Sequence, residues 1–140
     1  KIRDVRFQAV ATPDYLKRHG TPRSPGELRS HNCLVYSEFA TRGRGSFESG
    51  ATRKKPVALA GNLSTNSGVL LMHALLAGQG IAIGPDIMFE PQVKKREVKV
   101  ILADYAPEAT GLYAVFPPGR FASAGRKAFV DFLVANLQQR

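Results

Sequence analysis

The segment Val5-Arg6-Phe7-Gln8-Ala9-Val10 alternates apolar and polar residues with a period of two, which predicts a half-buried strand ending at Thr12-Pro13. Pro13 suits the first position of a short helix over Asp14 to His19, where its missing N–H would have no partner, and Gly20 supplies the stop. Two prolines mark Thr21 to Gly26 as a loop, and one helical turn is expected at Glu27-Leu28-Arg29. The apolar run from Asn32 to Tyr36 predicts a strand covered on both faces, as in a parallel sheet between helices. Pro56 to Leu63 reads as a further strand broken by Gly61 and leading into Ser64-Thr65-Asn66-Ser67-Gly68.

Val69 to Ala77 is apolar everywhere but His73, which predicts a helix buried all round, with Gly78 at its left-handed end. Gly80 to Pro85 follows as a short buried strand closed by a proline that has no N–H to give a ladder. A helix is expected over Asp86 to Lys95 with a break at Pro91, then strands over Val98 to Leu102 and Leu112 to Phe116. In the last helix, capped by Ser123, Phe129, Phe132, Leu133, Asn136 and Leu137 fall at helical spacing, opposite Arg126, Lys127, Asp131 and Gln138. Strands alternate with helices, so the fold class is α/β.

At 140 residues and 44% apolar content the chain is long and apolar enough for one domain with a real core. Its single cysteine, Cys33, excludes an internal disulfide and reads as a small buried apolar residue. No apolar run is long enough for a membrane span, and Lys1 to Phe7 is too polar for a signal peptide, so no membrane partner is expected and the expected location is cytoplasmic. The chain starts at Lys1, without an initiator methionine, and reads as a piece of something longer. The net charge of +9 raises nucleic acid or acidic ligands as partners, but the excess is local. It gathers at Arg42, Arg44, Arg53, Lys54 and Lys55, either a solvated loop face or, as the alternative, a DNA-contacting patch.

Catalytic chemistry has no residue to rest on. His19, His31 and His73 stand without metal-ligand spacing, and no nucleophile elbow, P-loop or close carboxylate pair occurs, so neither metal nor cofactor nor enzyme activity is expected. Gly78-Gln79-Gly80 with Gly84 imitates part of a dinucleotide fingerprint but follows a helix and precedes a strand, the reverse of the order needed. Thr65-Asn66-Ser67-Gly68 is different, since it joins a strand end to a helix start, where open sheets bind ligands and where the first N–H groups favour an anion. An ordinary Ser or Asn cap is the alternative reading there. Ser37-Glu38 holds the corresponding place after the Asn32 to Tyr36 strand, and Pro85 marks the third strand end.

With these segments in order, the chain resembles the LysR-type transcriptional regulators along nearly its whole length. FQAVATPDYLKRHGTPRSPGELRSHNCL at Phe7 to Leu34 looks like the family's entry into its second lobe, and GNLSTNSGVLLMHALLAGQGIAIGP at Gly61 to Pro85 like its strand, helix and strand. LYAVFPPGR at Leu112 to Arg120 and FVDFLVANL at Phe129 to Leu137 are similar to the domain's ending. The resemblance implies a type 2 periplasmic-binding-protein-like fold: one complete three-layer lobe over Thr12 to about Phe116, with Lys1 to Ala11 and Pro117 to Arg140 as remnants of the first lobe. It implies a small effector, expected to be anionic, held between lobes by Ser37, Glu38, Thr65, Asn66, Ser67 and Pro85, with Glu38 calling for a neutral or cationic group nearby. DNA would be bound only through an N-terminal helix-turn-helix outside this chain, and the full-length protein would be a homo-oligomer. The missing lobe would come from another chain or be replaced by self-association over Phe129, Phe132 and Leu133. A solute-binding lobe serving transport, a basic nucleic-acid-binding module and an enzyme on the same fold are the rival readings.

Overall fold

Arg6 marks the first departure from the periodicity, because the expected strand is two strands, β1 (Arg3–Val5) and β2 (Phe7–Ala11). Both belong to a computed structural model that describes residues 1–37, 57, 59–106, 109–116 and 124–138. The chain divides into two compact units, one of Arg6–Glu108 and one of Lys1–Val5 with Ala109–Arg140.

In the larger unit β2 leads to α1 (Pro13–His19), a 3-10 helix (Pro25–Ser30), β3 (Cys33–Tyr36), β4 (Leu63–Thr65), α2 (Gly68–Leu76), β5 (Ile81–Pro85), α3 (Asp86–Lys94) and β6 (Lys99–Ile101). The strands form one five-stranded sheet in the order β4-β3-β5-β2-β6. β3 runs parallel to β4 and β5, while β2 is antiparallel to β5 and β6. Alternate side chains go to opposite faces of the sheet. Ala9, Ala11, Cys33, Val35, Ile81 and Ile83 meet Tyr15 and Leu16 of α1 and Leu28 of the 3-10 helix. Val10, Leu34 and Ala82 meet Leu71 and Leu75 of α2 and Phe89 of α3. Helices thus cover the sheet on both sides, giving three layers. β2 is correspondingly buried over Ala9–Ala11 on both faces, against the half-buried strand its alternation predicts.

Local chemistry sets the helix ends. Thr12 Oγ1 accepts the Tyr15 N–H at 3.2 Å to cap α1, Pro13 occupies its first turn, and Gly20 leaves at φ 83. After α2, Gly78 takes φ 68, the left-handed turn its position predicts. α3 runs through Pro91 without the expected break. Proline forgoes a single N–H there, and the buried Phe89 with Val93 holds the helix on the sheet.

α2 corrects the expectation of a helix buried all round. Leu71 and Leu75 are fully buried, but Val69 is 69% exposed, Leu70 49% and Leu76 43%. A helix in an outer layer has one face to give the sheet, whatever its composition. His73 is likewise at the surface, its Nδ1 2.8 Å from the Val69 carbonyl oxygen rather than in the core.

The fourth strand begins later than its apolar residues suggest, at Leu63, and runs through Ser64 to Thr65. Upstream the chain presses against β3. A Cβ on Gly61 would stand 1.8 Å from the Cys33 carbonyl oxygen, so only glycine fits. Asn32 clasps this amino end of the parallel strands: its Nδ2 donates to Asn62 Oδ1 at 3.0 Å and to the Gln79 carbonyl at 2.7 Å. Its Oδ1 accepts the Asn62 N–H at 3.0 Å, and its carbonyl accepts the Ile81 N–H at 2.9 Å.

In the smaller unit β1 pairs antiparallel with β7 (Thr110–Leu112), and α4 (Ala124–Gln138) follows. The paired segment is Thr110–Leu112, which precedes most of the expected Leu112 to Phe116 strand. Arg3 Nη1 donates to the Leu137 carbonyl at 3.4 Å, and the Arg126 guanidinium lies 5.0 Å from the centre of the Phe116 ring. Leu133, Val134 and Leu137 are half-buried, whereas Phe129 and Phe132 stay about three-fifths exposed, at 60% and 62%. Ser123, the expected cap, lies outside the described residues.

Candidate functional site

The parallel register decides which residues gather at the carboxyl edge of the sheet. Tyr36 is level with Thr65, and Val35 with Ile83, so two residues further Ser37 reaches the level of Pro85. Thr65, Asn66 and Ser67 follow β4, Ser37 follows β3, and Pro85 ends β5, all at one end of the larger unit. Phe7 is opposite Pro85 across the antiparallel pair, which brings the start of β2 to the same edge. Glu38 and the basic residues Arg42, Arg44, Arg53, Lys54 and Lys55 lie outside the described residues.

Two helices start at this edge, and they differ electrostatically. α3 opens on Asp86, whose Oδ1 accepts the Ile87 N–H at 2.7 Å, so its positive end already faces a carboxylate. α2 has no acidic residue in its first turn. Ser67 is its N-cap, the Oγ accepting the Leu70 N–H at 3.3 Å, and Thr65 Oγ1 accepts the Ser67 N–H at 3.0 Å. The cap reading of Ser67 is therefore correct, and it coexists with an accessible helix start: Asn66, Ser67, Val69 and Leu70 are exposed and Gly68 is half-buried. Both hydroxyls keep their O–H available to donate, and the Gly68 and Val69 N–H groups have no carbonyl within the helix.

Sequence reasoning does not find Met88 or Asp86 as neighbours of this edge. A Cβ on Gly68 would stand 2.9 Å from Met88 Cε, and one on Gly84 3.7 Å from Met88 Sδ and 3.3 Å from Phe89 Cζ. Met88 thus lies beneath the first turn of α2, and Gly68 and Gly84 leave room for it. The sequence signal was those two glycines at helix start and strand end. Among the described residues no group of three or more His, Cys, Asp or Glu could hold a metal ion, and no helix is long and apolar enough to cross a membrane.

The family model described as LysR substrate binding domain matches residues 1–138. The chain belongs to the LysR substrate-binding domain family. This LysR domain is similar to the HTH-type transcriptional regulator CrgA of Neisseria meningitidis serogroup C (strain 8013), at 30% identity over 138 residues, 96% of this chain and 44% of that protein. It is similar also to the HTH-type transcriptional activator TtdR of Escherichia coli (strain K12), at 34% identity over 131 residues, 93% of this chain and 42% of that protein. The chain spans less than half the length of these curated relatives. Among solved structures, the CrgA regulatory domain from Neisseria meningitidis has a TM-score of 0.72 at 26% identity, over 97% of this chain and 66% of that one. The full-length Vibrio cholerae virulence activator AphB shares the fold, with a TM-score of 0.74 at 20% identity over 97% of this chain and 46% of that one. The fold of the LysR domain is accordingly type 2 periplasmic-binding-protein-like, as its sequence resemblance implies.

Proposed function

We propose that the chain is the ligand-sensing part of a LysR-type DNA-binding regulator and that a small anionic effector binds at the carboxyl edge of its sheet. Backbone N–H groups at the start of α2, with Asn66 and the hydroxyls of Ser67 and Thr65, hold the anion; Ser37, Glu38 and Pro85 form the facing rim. The observation that carries this reading is the solvent-accessible start of α2, which has no acidic residue of its own in a site where α3 has one. Glu38 would repel a carboxylate and favours a neutral or cationic group elsewhere on the same ligand.

The unit Arg6–Glu108 supports a role as second lobe, and the unit of Lys1–Val5 with Ala109–Arg140 a role as part of the first, close to the division at 12 and 116 that the family resemblance implies. Closure of two lobes on the effector then shifts the regulator by its differential affinity for the open and closed arrangements, and no catalytic step is needed. DNA contact belongs to a helix-turn-helix outside these residues, and the working molecule is a cytoplasmic homo-oligomer. The relatives' description as HTH-type regulators supports the first of these points.

Calorimetric titration of the full-length regulator with a panel of small carboxylates tests the site. The double variant Asn66→Ala, Ser67→Ala is expected to bind the best carboxylate about tenfold or more weakly, a loss of about 1.4 kcal/mol. Equal affinity in wild type and variant removes the anion site from the start of α2.

A further inference from the structure

We propose that His31, Tyr15 and His19 form a pH-responsive latch that fastens α1 and the 3-10 helix to the amino end of the parallel strands, closed while His31 is neutral and loosened when its Nδ1 takes a proton. The place is at the opposite end of β3 from the effector edge, so the inference does not depend on the anion site.

Tyr15 is the node. Its side chain is buried, and its phenol oxygen lies 3.3 Å from the Asn32 backbone nitrogen and 3.1 Å from His31 Nδ1. The His19 ring stacks on the same phenol, with centroids 4.5 Å apart and planes 25° from parallel. A phenol has one hydrogen to donate, and a neutral imidazole has one nitrogen that accepts. With the proton on Nε2, the chain of donors closes: the Asn32 N–H donates to the phenol oxygen and the phenol O–H donates to Nδ1. A proton from solvent on Nδ1 makes both ring nitrogens donors. The phenol hydrogen then loses its acceptor, and the oxygen has to serve two donors at once.

The surroundings favour the neutral ring. Burial, and next the facing His19, hold the His31 imidazole below its ordinary range, with Glu27 of the 3-10 helix acting the other way. Burial above all raises the Tyr15 phenol, aided by the Cys33 thiol on β3 and opposed by the Asn32 hydrogen bond and by Arg18 of α1. The phenol therefore stays protonated and able to donate throughout the range in which His31 titrates.

What the latch holds is the Asn32 clasp. Asn32 joins β3 to Asn62 ahead of β4, to Gln79 after α2 and to Ile81 at the start of β5. Because the folded His31 binds its proton less readily than the unfolded one, the unfolded chain holds more protons between the two midpoints. The latch's contribution is full above the usual histidine value and is lost as pH falls through the lower folded value.

The test is an NMR titration of the 140-residue chain between pH 8 and pH 5, following the His31 ring and the Asn32 amide. The expected result is a His31 midpoint below 6.5, an Asn32 amide shift with that same midpoint, and loss of the Asn32 response in His31→Asn with the rest of the spectrum kept. His19→Gln is expected to move the His31 midpoint upward, since His19 is one of the groups that hold it down. An Asn32 amide that does not respond, or responds identically in His31→Asn, or a His31 midpoint at or above 6.5, overturns the latch.

Discussion

Burial pushes the Cys33 thiol up to about 11, which makes this residue a gauge of how well the sheet and its covering helices exclude water. Cys33 packs in one cluster with Leu28 and Ile81, and its Sγ lies 3.6 Å from the Leu28 carbonyl oxygen, so its weak S–H donor has an acceptor nearby while burial disfavours the thiolate. The native chain is expected to leave Cys33 unmodified by a thiol reagent at pH 8, with reaction appearing only on denaturation. The pH dependence has a definite sign. A folded thiol that keeps its proton to a higher pH than the unfolded one stabilises below the unfolded value and loses that stabilisation as pH rises through the window up to about 11. Chemical denaturation at pH 8 and at pH 10 should therefore show wild type losing more stability than Cys33→Ala. Equal losses in the two chains, or rapid labelling of the native protein, would show the thiol to be open to solvent.

At the scale of single elements, α2 shows how composition and packing part company. Gly68–Leu76 is apolar throughout except at His73, yet only Leu71 and Leu75 are fully buried. Leu71→Ala is expected to cost about 2–5 kcal/mol by leaving a cavity over Leu34 and Ala82, whereas Leu70→Ala on the exposed side should cost well under about 1 kcal/mol. Urea denaturation of the two variants checks this, and equal costs would mean that the outer face of α2 is covered in solution. Ends of elements were legible in the sequence because caps act locally: Thr12-Pro13, Gly20, Ser67 and Gly78 need no knowledge of distant residues. Strand limits were less so. β4 owes its start at Leu63 to pairing with Leu34, and the split at Arg6 follows from β1 and β2 pairing in different sheets. The edge bearing Ser37, Thr65, Asn66, Ser67 and Pro85 could be read from strand ends alone, while Met88 comes to it only through the packing of α3.

For the whole molecule, the smaller unit carries the strongest consequence. Among its described residues a two-stranded sheet and one helix make a slight core, since a hairpin-sized sheet is marginal in water without broad apolar cover. In α4, Phe129 and Phe132 are three-fifths exposed, and Tyr113 and Val115 are more than half exposed on the segment after β7. The chain corresponds to 66% of the solved CrgA regulatory domain, and the remainder of such a domain has no counterpart among these 140 residues. Covering a phenylalanine side chain is worth about 1.5–3 kcal/mol, so two of them on one helix give a 140-residue chain reason to find cover in another copy. Sedimentation equilibrium of the isolated chain is expected to show a mass that rises with concentration, and Phe129→Glu with Phe132→Glu to return it to 15.2 kDa. The larger unit provides the control, because neither substitution touches the Leu71, Leu75 and Phe89 core and circular dichroism should be unchanged. In a longer chain that supplies the rest of the first lobe the same two substitutions should instead lower stability, as the phenylalanines would then be internal. A wild-type chain that sediments as a monomer at every concentration would defeat self-association over this face.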